Sequence, residues 1–386
     1  MKTRRKIISF IERKFWLLVT IIFLIQLIIL LVYGALTDDS ILWFNLLRGM
    51  PRKIPYLTTD QFIIGATEYP IGFTYFLFAF FPFRADLQLF SKIFGLVQLA
   101  FALGIIGILY RLVNARHRIF VFTLAPTVLI LGPARFDLAV SFFVLFSLYF
   151  IVKCREKIAS FFISIASLLK IYPAMFLPTF LRSDVKKSRK VNLLFYFLLF
   201  VIIFNLPLLL TNPKTIIFPF KNPTANFRPE SFFGMLNLLD LAPPVAIAKL
   251  INYSFLIILF LIGFSKSRTT LGRFVALIIA LVITASIFSP QWNIWLLPLL
   301  ILSSINITII FLFDVITAIE FPLVWHYVFH LTKFDGALFS LASPPCILFI
   351  LLNLTRYGFY IYFYIKALRS DFVGSFLTRK ASKILR

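Results

Sequence analysis

Asp38, Asp39, Asp60, Glu68, Asp137, Glu230, Asp240 and Asp335 stand in the segments between apolar runs, and Arg135, Lys170, Lys221 and Arg228 stand among them. Acids and fixed cations gathered in this way suit one class of chemistry, the transfer of a group from a phosphate ester to a hydroxyl. A carboxylate takes the acceptor proton. The cations neutralise charge on the departing phosphate, most effectively where the cavity is partly dry. Phosphate leaves readily, so one base suffices, whereas glycoside hydrolysis needs a pair of carboxyl groups.

Each segment also has a plainer reading. Asp38-Asp39 follow the first apolar run and fit a solvated helix end as well as a base. Glu68-Tyr69-Pro70 fits a helix start, with acid and proline favoured in the first turn. Arg135 and Asp137 fit an interfacial ion pair, and Lys170 a side chain snorkelling from a short helix. Asp314 and Glu320, six residues apart in an apolar stretch, are expected to pair with basic partners inside the bundle in a structural role. His326 and His330 lack the glutamate of HExxH, and Cys154 and Cys346 lack CxxC spacing. Neither a metal site, a disulfide nor a cofactor is therefore expected. The absence of a Gly-rich phosphate loop argues against a nucleotide-driven pump.

The elements that must position these residues are membrane helices. Of 386 residues, 61% are hydrophobic and 14% charged, and mean hydropathy is +0.96. No polar gap reaches the size of an ordinary soluble domain, so a single transmembrane domain over residues 1–386 is expected. A net charge of +24 would suggest nucleic acid in a soluble chain. Here most of the 39 lysines and arginines fall in six short clusters, 2–14, 111–118, 153–157, 182–190, 266–273 and 366–386. The positive-inside rule explains them, and no nucleic acid partner is expected.

If all six clusters are cytoplasmic, an even number of crossings separates each neighbouring pair, which predicts an all-α polytopic bundle of about twelve transmembrane helices. The spans fall near 16–33, 88–110, 119–132, 136–152, 191–210, 249–264, 274–288, 293–305, 308–325 and 346–366, with two short helices inside 158–181. External loops are expected at about 34–87 and 211–248, the first carrying an interfacial or partly re-entrant helix over Pro70–Phe83. The N-terminus reads as a retained signal-anchor, and both termini as cytoplasmic. No inverted repeat is evident, which disfavours a secondary transporter.

Taken in order, the outer segments resemble the polyprenol-phosphate-sugar-dependent glycosyltransferases of the GT-C fold, closest to glycosyltransferase family 87. The resemblance rests on Asp39 with Trp43 four residues on, Gly49, Pro55-Tyr56, Glu68-Tyr69-Pro70, Arg135-Phe136-Asp137, Leu169-Lys170-Ile171-Tyr172-Pro173, Arg228-Pro229-Glu230-Ser231 and Ser289-Pro290-Gln291-Trp292. It spans nearly the whole chain. Ile71 stands where the family has a second proline, and Trp292 where it has tyrosine.

The resemblance implies a polyprenyl-phosphate-linked hexose donor, often mannose, and inverting transfer to an acceptor hydroxyl on a glycolipid or glycan at the extracytoplasmic face of the cell membrane. It implies Asp39 as general base, with Asp38 the runner-up. The donor phosphate would be held by Arg135, Lys170 and Arg228. Glu68, Tyr69, Asp137, Tyr172, Glu230, Gln291 and Trp292 would contact substrate, and Trp43 would offer a ring to sugar or isoprenoid. Two other classes remain: a transporter or flippase of lipid-linked sugars, and a nonenzymatic subunit that stabilises a membrane partner.

Overall fold

The chain is seen in a computed structural model that describes residues 2–49, 69–211, 227–228, 230–334 and 344–385. Among these residues the regular structure is helical, and the strand-like pairings are the isolated bridges Val113–Leu377 and Ser303–Val373. Helices long and apolar enough to cross a bilayer are Lys6–Tyr33, Leu87–Leu112, Lys187–Pro207, Val245–Lys266 and Ile347–Ala367. Arg116–Leu124 and Thr127–Ala134, bent by 51°, meet the same test as a pair. Asp137–Val152, Thr270–Ile283 and Pro290–Leu302 are apolar but shorter than the ~20 residues of an upright span.

Two compact units divide the chain. Residues 1–124, 128–223 and 376–384 form the first, and residues 125–127, 224–375 and 385–386 the second.

In the first unit, α1 (Lys2–Tyr33) bends at Lys14, where the basic start gives way to the apolar run. It stops because Gly34 adopts a left-handed φ of +73° and donates its N–H to the Leu30 carbonyl at 2.8 Å. Helix α2 (Asp38–Gly49) then starts where an open loop was expected. Thr37 and Ser40 cap it reciprocally: the Ser40 N–H donates to the Thr37 hydroxyl at 3.2 Å, and the Thr37 N–H to the Ser40 hydroxyl at 2.7 Å. Two orphan donors are thereby satisfied, the logic of a capping box with serine in place of glutamate.

Helix α3 (Ile71–Phe78) begins after Pro70, and α4 (Leu87–Leu112) is capped by Asp86, whose carboxylate accepts from the Gln88 and Leu89 N–H groups at 2.8 and 3.1 Å. The run expected as one helix over 119–132 is instead broken. Helix α5 (Arg116–Leu124) ends two residues before Pro126, which has no N–H to continue the ladder, and a π turn (Thr127–Leu131) and a 3-10 turn (Gly132–Ala134) follow.

Next come α6 (Asp137–Val152), α7 (Glu156–Leu169), α8 (Phe176–Leu181) and α9 (Lys187–Thr211). Small hydroxyls join α6, α7 and α9. Ser147 donates to the Ala159 carbonyl at 2.8 Å, Ser160 to that of Leu193 at 2.9 Å and Ser164 to that of Phe197 at 3.2 Å. Such residues let helix backbones approach where no water competes.

In the second unit, α10 (Phe232–Leu238) is capped by Ser231, α11 (Val245–Lys266) faces outward over most of its length, and α12 (Thr270–Ile283) is capped by Thr269. Helices α13 (Asn293–Leu302), α14 (Ile307–Phe334) and α15 (Pro344–Ala367) complete it. Helices α12 and α13 are buried along nearly all of their residues and form its core. A short helix, α16 (Arg379–Leu385), closes the chain.

Candidate active site

Asp39 owes its place to the Thr37–Ser40 cap, which sets it in the first turn of α2, where the exposed N–H groups favour an acid. Its side chain is one-third exposed and makes an ion pair with the Arg135 guanidinium. Arg135 is positioned by packing beneath it. Ala134 clusters with Leu30 and Ala35 at the end of α1 and with Leu99 of α4.

Two residues on, Asp137 opens α6 and is almost fully buried, and its Oδ1 lies 2.6 Å from Lys170 Nζ at the end of α7. The first unit thus holds two acid–base pairs on neighbouring residues, Asp39–Arg135 and Asp137–Lys170. Burial pushes the Lys170 ammonium below the ordinary lysine range. The Asp137 carboxylate pulls it back, and the nearby charge of Arg135 adds to the depression.

Aromatic rings stand over Lys170. Tyr69 packs on Phe73 and Phe136 with ring centroids 4.6 and 5.1 Å apart, and Lys170 Nζ lies 4.7 Å from the centre of the Phe136 ring. This close approach depends on Gly72, where a Cβ would meet the Leu168 carbonyl carbon and oxygen at 2.6 Å. Tyr172 is buried in the 3-10 turn Tyr172–Met175. Burial, and secondarily the Asp137 charge, hold its phenol well above the usual tyrosine range, so it stays a donor. Trp43 is 1% exposed and enclosed by Phe73, Phe94 and Phe136, so its ring packs the core under the site instead of facing a ligand.

The remaining candidates lie in the second unit. Arg228 is exposed, its N–H donating to the Ser286 carbonyl at 2.9 Å. Glu230 is 3% exposed. Burial raises its carboxyl above the ordinary range, against the pull of its own backbone and of the Arg228 and Arg356 charges. Gln291 is buried in the turn before α13, hydrogen-bonded to Ser289, and Trp292 is half-buried, stacked on Trp295 at 5.0 Å. Glu68, Asp60, Lys221 and Asp335 lie outside the described residues, as does the side chain of Asp38.

Sequence reasoning missed Arg356. Its Nη1 donates to Glu320 Oε1 at 2.6 Å, and both residues are essentially unexposed. The signal was a lone arginine in the apolar run of α15, with an intramembrane acid in want of a partner. Asp314, by contrast, has neutral partners: it accepts from the Thr127 N–H at 2.9 Å and hydroxyl at 2.5 Å, with the Asn293 amide at 3.5 Å. Asn293 in turn accepts from the Tyr360 hydroxyl at 3.0 Å. Among the described residues no three His, Cys, Asp or Glu side chains are grouped to hold a metal ion. No protein-family model matches the chain, and no curated protein matches it.

Proposed function

We propose that this chain is an integral-membrane hexosyltransferase that moves a hexose, mannose being favoured, from a polyprenyl phosphate to an acceptor hydroxyl with inversion. The observation that carries the reading is the pairing of Asp39 with Arg135 beside Asp137 with Lys170, the lysine facing the Tyr69 ring. Asp39, the more exposed of the two acids, takes the acceptor proton. The acceptor oxygen bonds to the anomeric carbon from the face opposite the phosphate. The carbon–oxygen bond to phosphate breaks, and the electron pair leaves with the lipid phosphate, held by Arg135 and Lys170.

Asp137 orients Lys170, and Glu68, Tyr69 and Tyr172 bound the substrate; Arg228, Glu230, Gln291 and Trp292 keep the substrate-contacting roles that the resemblance gives them. In this reading about twelve crossings place the termini in the cytoplasm and the site outside, and Asp38 is the alternative base.

The test is transfer of radiolabelled hexose from a polyprenyl-phosphate donor by purified protein in bilayers. Asp39→Asn should reduce turnover by about a hundredfold or more while donor binding persists, because an amide cannot take the proton. Transfer that survives the change removes Asp39 as base. One observation favours a second reading, a carrier of lipid-linked sugars: Asp314, Glu320 and Arg356 are buried in apolar helices, where ionisable groups commonly serve transport. A carrier would move labelled lipid across vesicles and leave its sugar attached.

A further inference from the structure

Arg356 reaches two of the segments singled out above. One Nη2 hydrogen bond, at 2.6 Å, goes to the backbone carbonyl of Glu230, and another, at 2.5 Å, to Asn353 Oδ1 on its own helix. Nη1 goes to Glu320 of α14. The guanidinium carbon Cζ lies 3.6 Å from the centre of the Phe288 ring, and Phe288 immediately precedes Ser289-Pro290-Gln291-Trp292. Its fork-shaped donor set and its flat face are both in use, a combination that lysine cannot supply. From Glu230 the hold passes to its neighbours. The Ser231 N–H and hydroxyl donate to the Arg228 carbonyl at 2.8 and 2.7 Å, and the Ser231 hydroxyl caps α10 through the Gly234 N–H at 3.1 Å.

We infer that Arg356, charge-balanced by Glu320, is a positioning residue that fixes Arg228 and Glu230 and braces the Phe288–Trp292 turn. Its catalytic consequence rests on the transferase reading, in which Arg228 and Glu230 meet substrate; its structural consequence does not. A buried pair that served stability alone would be replaceable, since apolar residues of similar volume often match or exceed a buried ion pair in stability. A pair that serves position is not, because apolar side chains offer nothing to the Glu230 carbonyl.

The decisive variant is therefore Glu320→Met/Arg356→Met, which removes both charges together and leaves neither buried alone. A nitroxide at Arg228→Cys, with Cys154 and Cys346 replaced by serine, reports local mobility in nanodiscs. Transfer from a polyprenyl-phosphate hexose is measured on the unlabelled proteins. The expected result is an unchanged unfolding temperature, a label freed in the double variant, and kcat/KM lowered about a hundredfold, the scale of a misplaced contact. Arg356→Lys should free the label partly.

A label equally immobile in native and double-variant protein overturns the inference whatever the turnover. A freed label with native turnover overturns its catalytic part. If the native protein transfers no hexose, the transferase reading falls, while the label still decides the positioning role.

Discussion

At the scale of single residues, the candidate site is a set of charges that satisfy one another. Asp137 is 1% exposed and pairs with Lys170. Lys170→Met should cost about 3–5 kcal/mol, the range for breaking a buried ion pair by removing one partner. Asp137→Asn/Lys170→Met, which removes both charges, should recover most of that loss. Thermal unfolding of the two variants in the same detergent checks both; equal losses would mean that the ion pair is not what holds the α6–α7 junction. Asp39, Arg135, Asp137 and Lys170 were legible in the sequence because charge is conspicuous in an apolar chain. Their pairing was not, since partners distant in the chain meet only once the helices pack, as where Ala134 clusters with Leu30, Ala35 and Leu99. Arg356 was overlooked for a related reason. A single arginine in α15 carries no motif, and its meaning comes from Glu320 on another helix.

At the scale of elements, the long apolar helices could be read directly. Expected spans near 249–264 and 346–366 correspond to α11 (Val245–Lys266) and α15 (Pro344–Ala367), each slightly longer at both ends. The short elements that carry the site were harder. Helix α2 has only twelve residues, and its start is set by side-chain capping at Thr37 and Ser40, a local signal that hydropathy does not register. Helix α3 is shorter still, and its fit against the end of α7 depends on Gly72. Gly72→Val should push α3 off the Leu168 backbone. Strain of about 1–3 kcal/mol is expected, with a fall in turnover out of proportion to it. Gly107, which has nothing within 4 Å of an added Cβ, is the control: Gly107→Val should leave hexose transfer near the native rate. Similar turnover in the two variants would separate the packing of Tyr69 from activity.

At the scale of the whole molecule, helical character and several spans follow from composition alone, because an apolar chain in lipid must satisfy its backbone internally. The division into two compact units was not legible, as residues 125–127 join the second unit from within the sequence of the first and residues 376–384 return to the first. Orientation can be measured with a native reporter. Cys154 is exposed and unpaired between Lys153 and Arg155, in a cluster read as cytoplasmic. With Cys346→Ser as background, a membrane-impermeant maleimide should label it only after permeabilisation; labelling of intact cells would invert the map. The two ion pairs of the first unit carry one last consequence. Unoccupied, these four groups sum to zero, so between them they neither repel nor draw an ionic headgroup at long range. Under the proposed transfer, the incoming phosphodiester contributes one negative charge and the departing monoester two, while protonation erases the one on Asp39. The total is conserved, and the guanidinium of Arg135 is left to follow a charge that has migrated from protein to lipid.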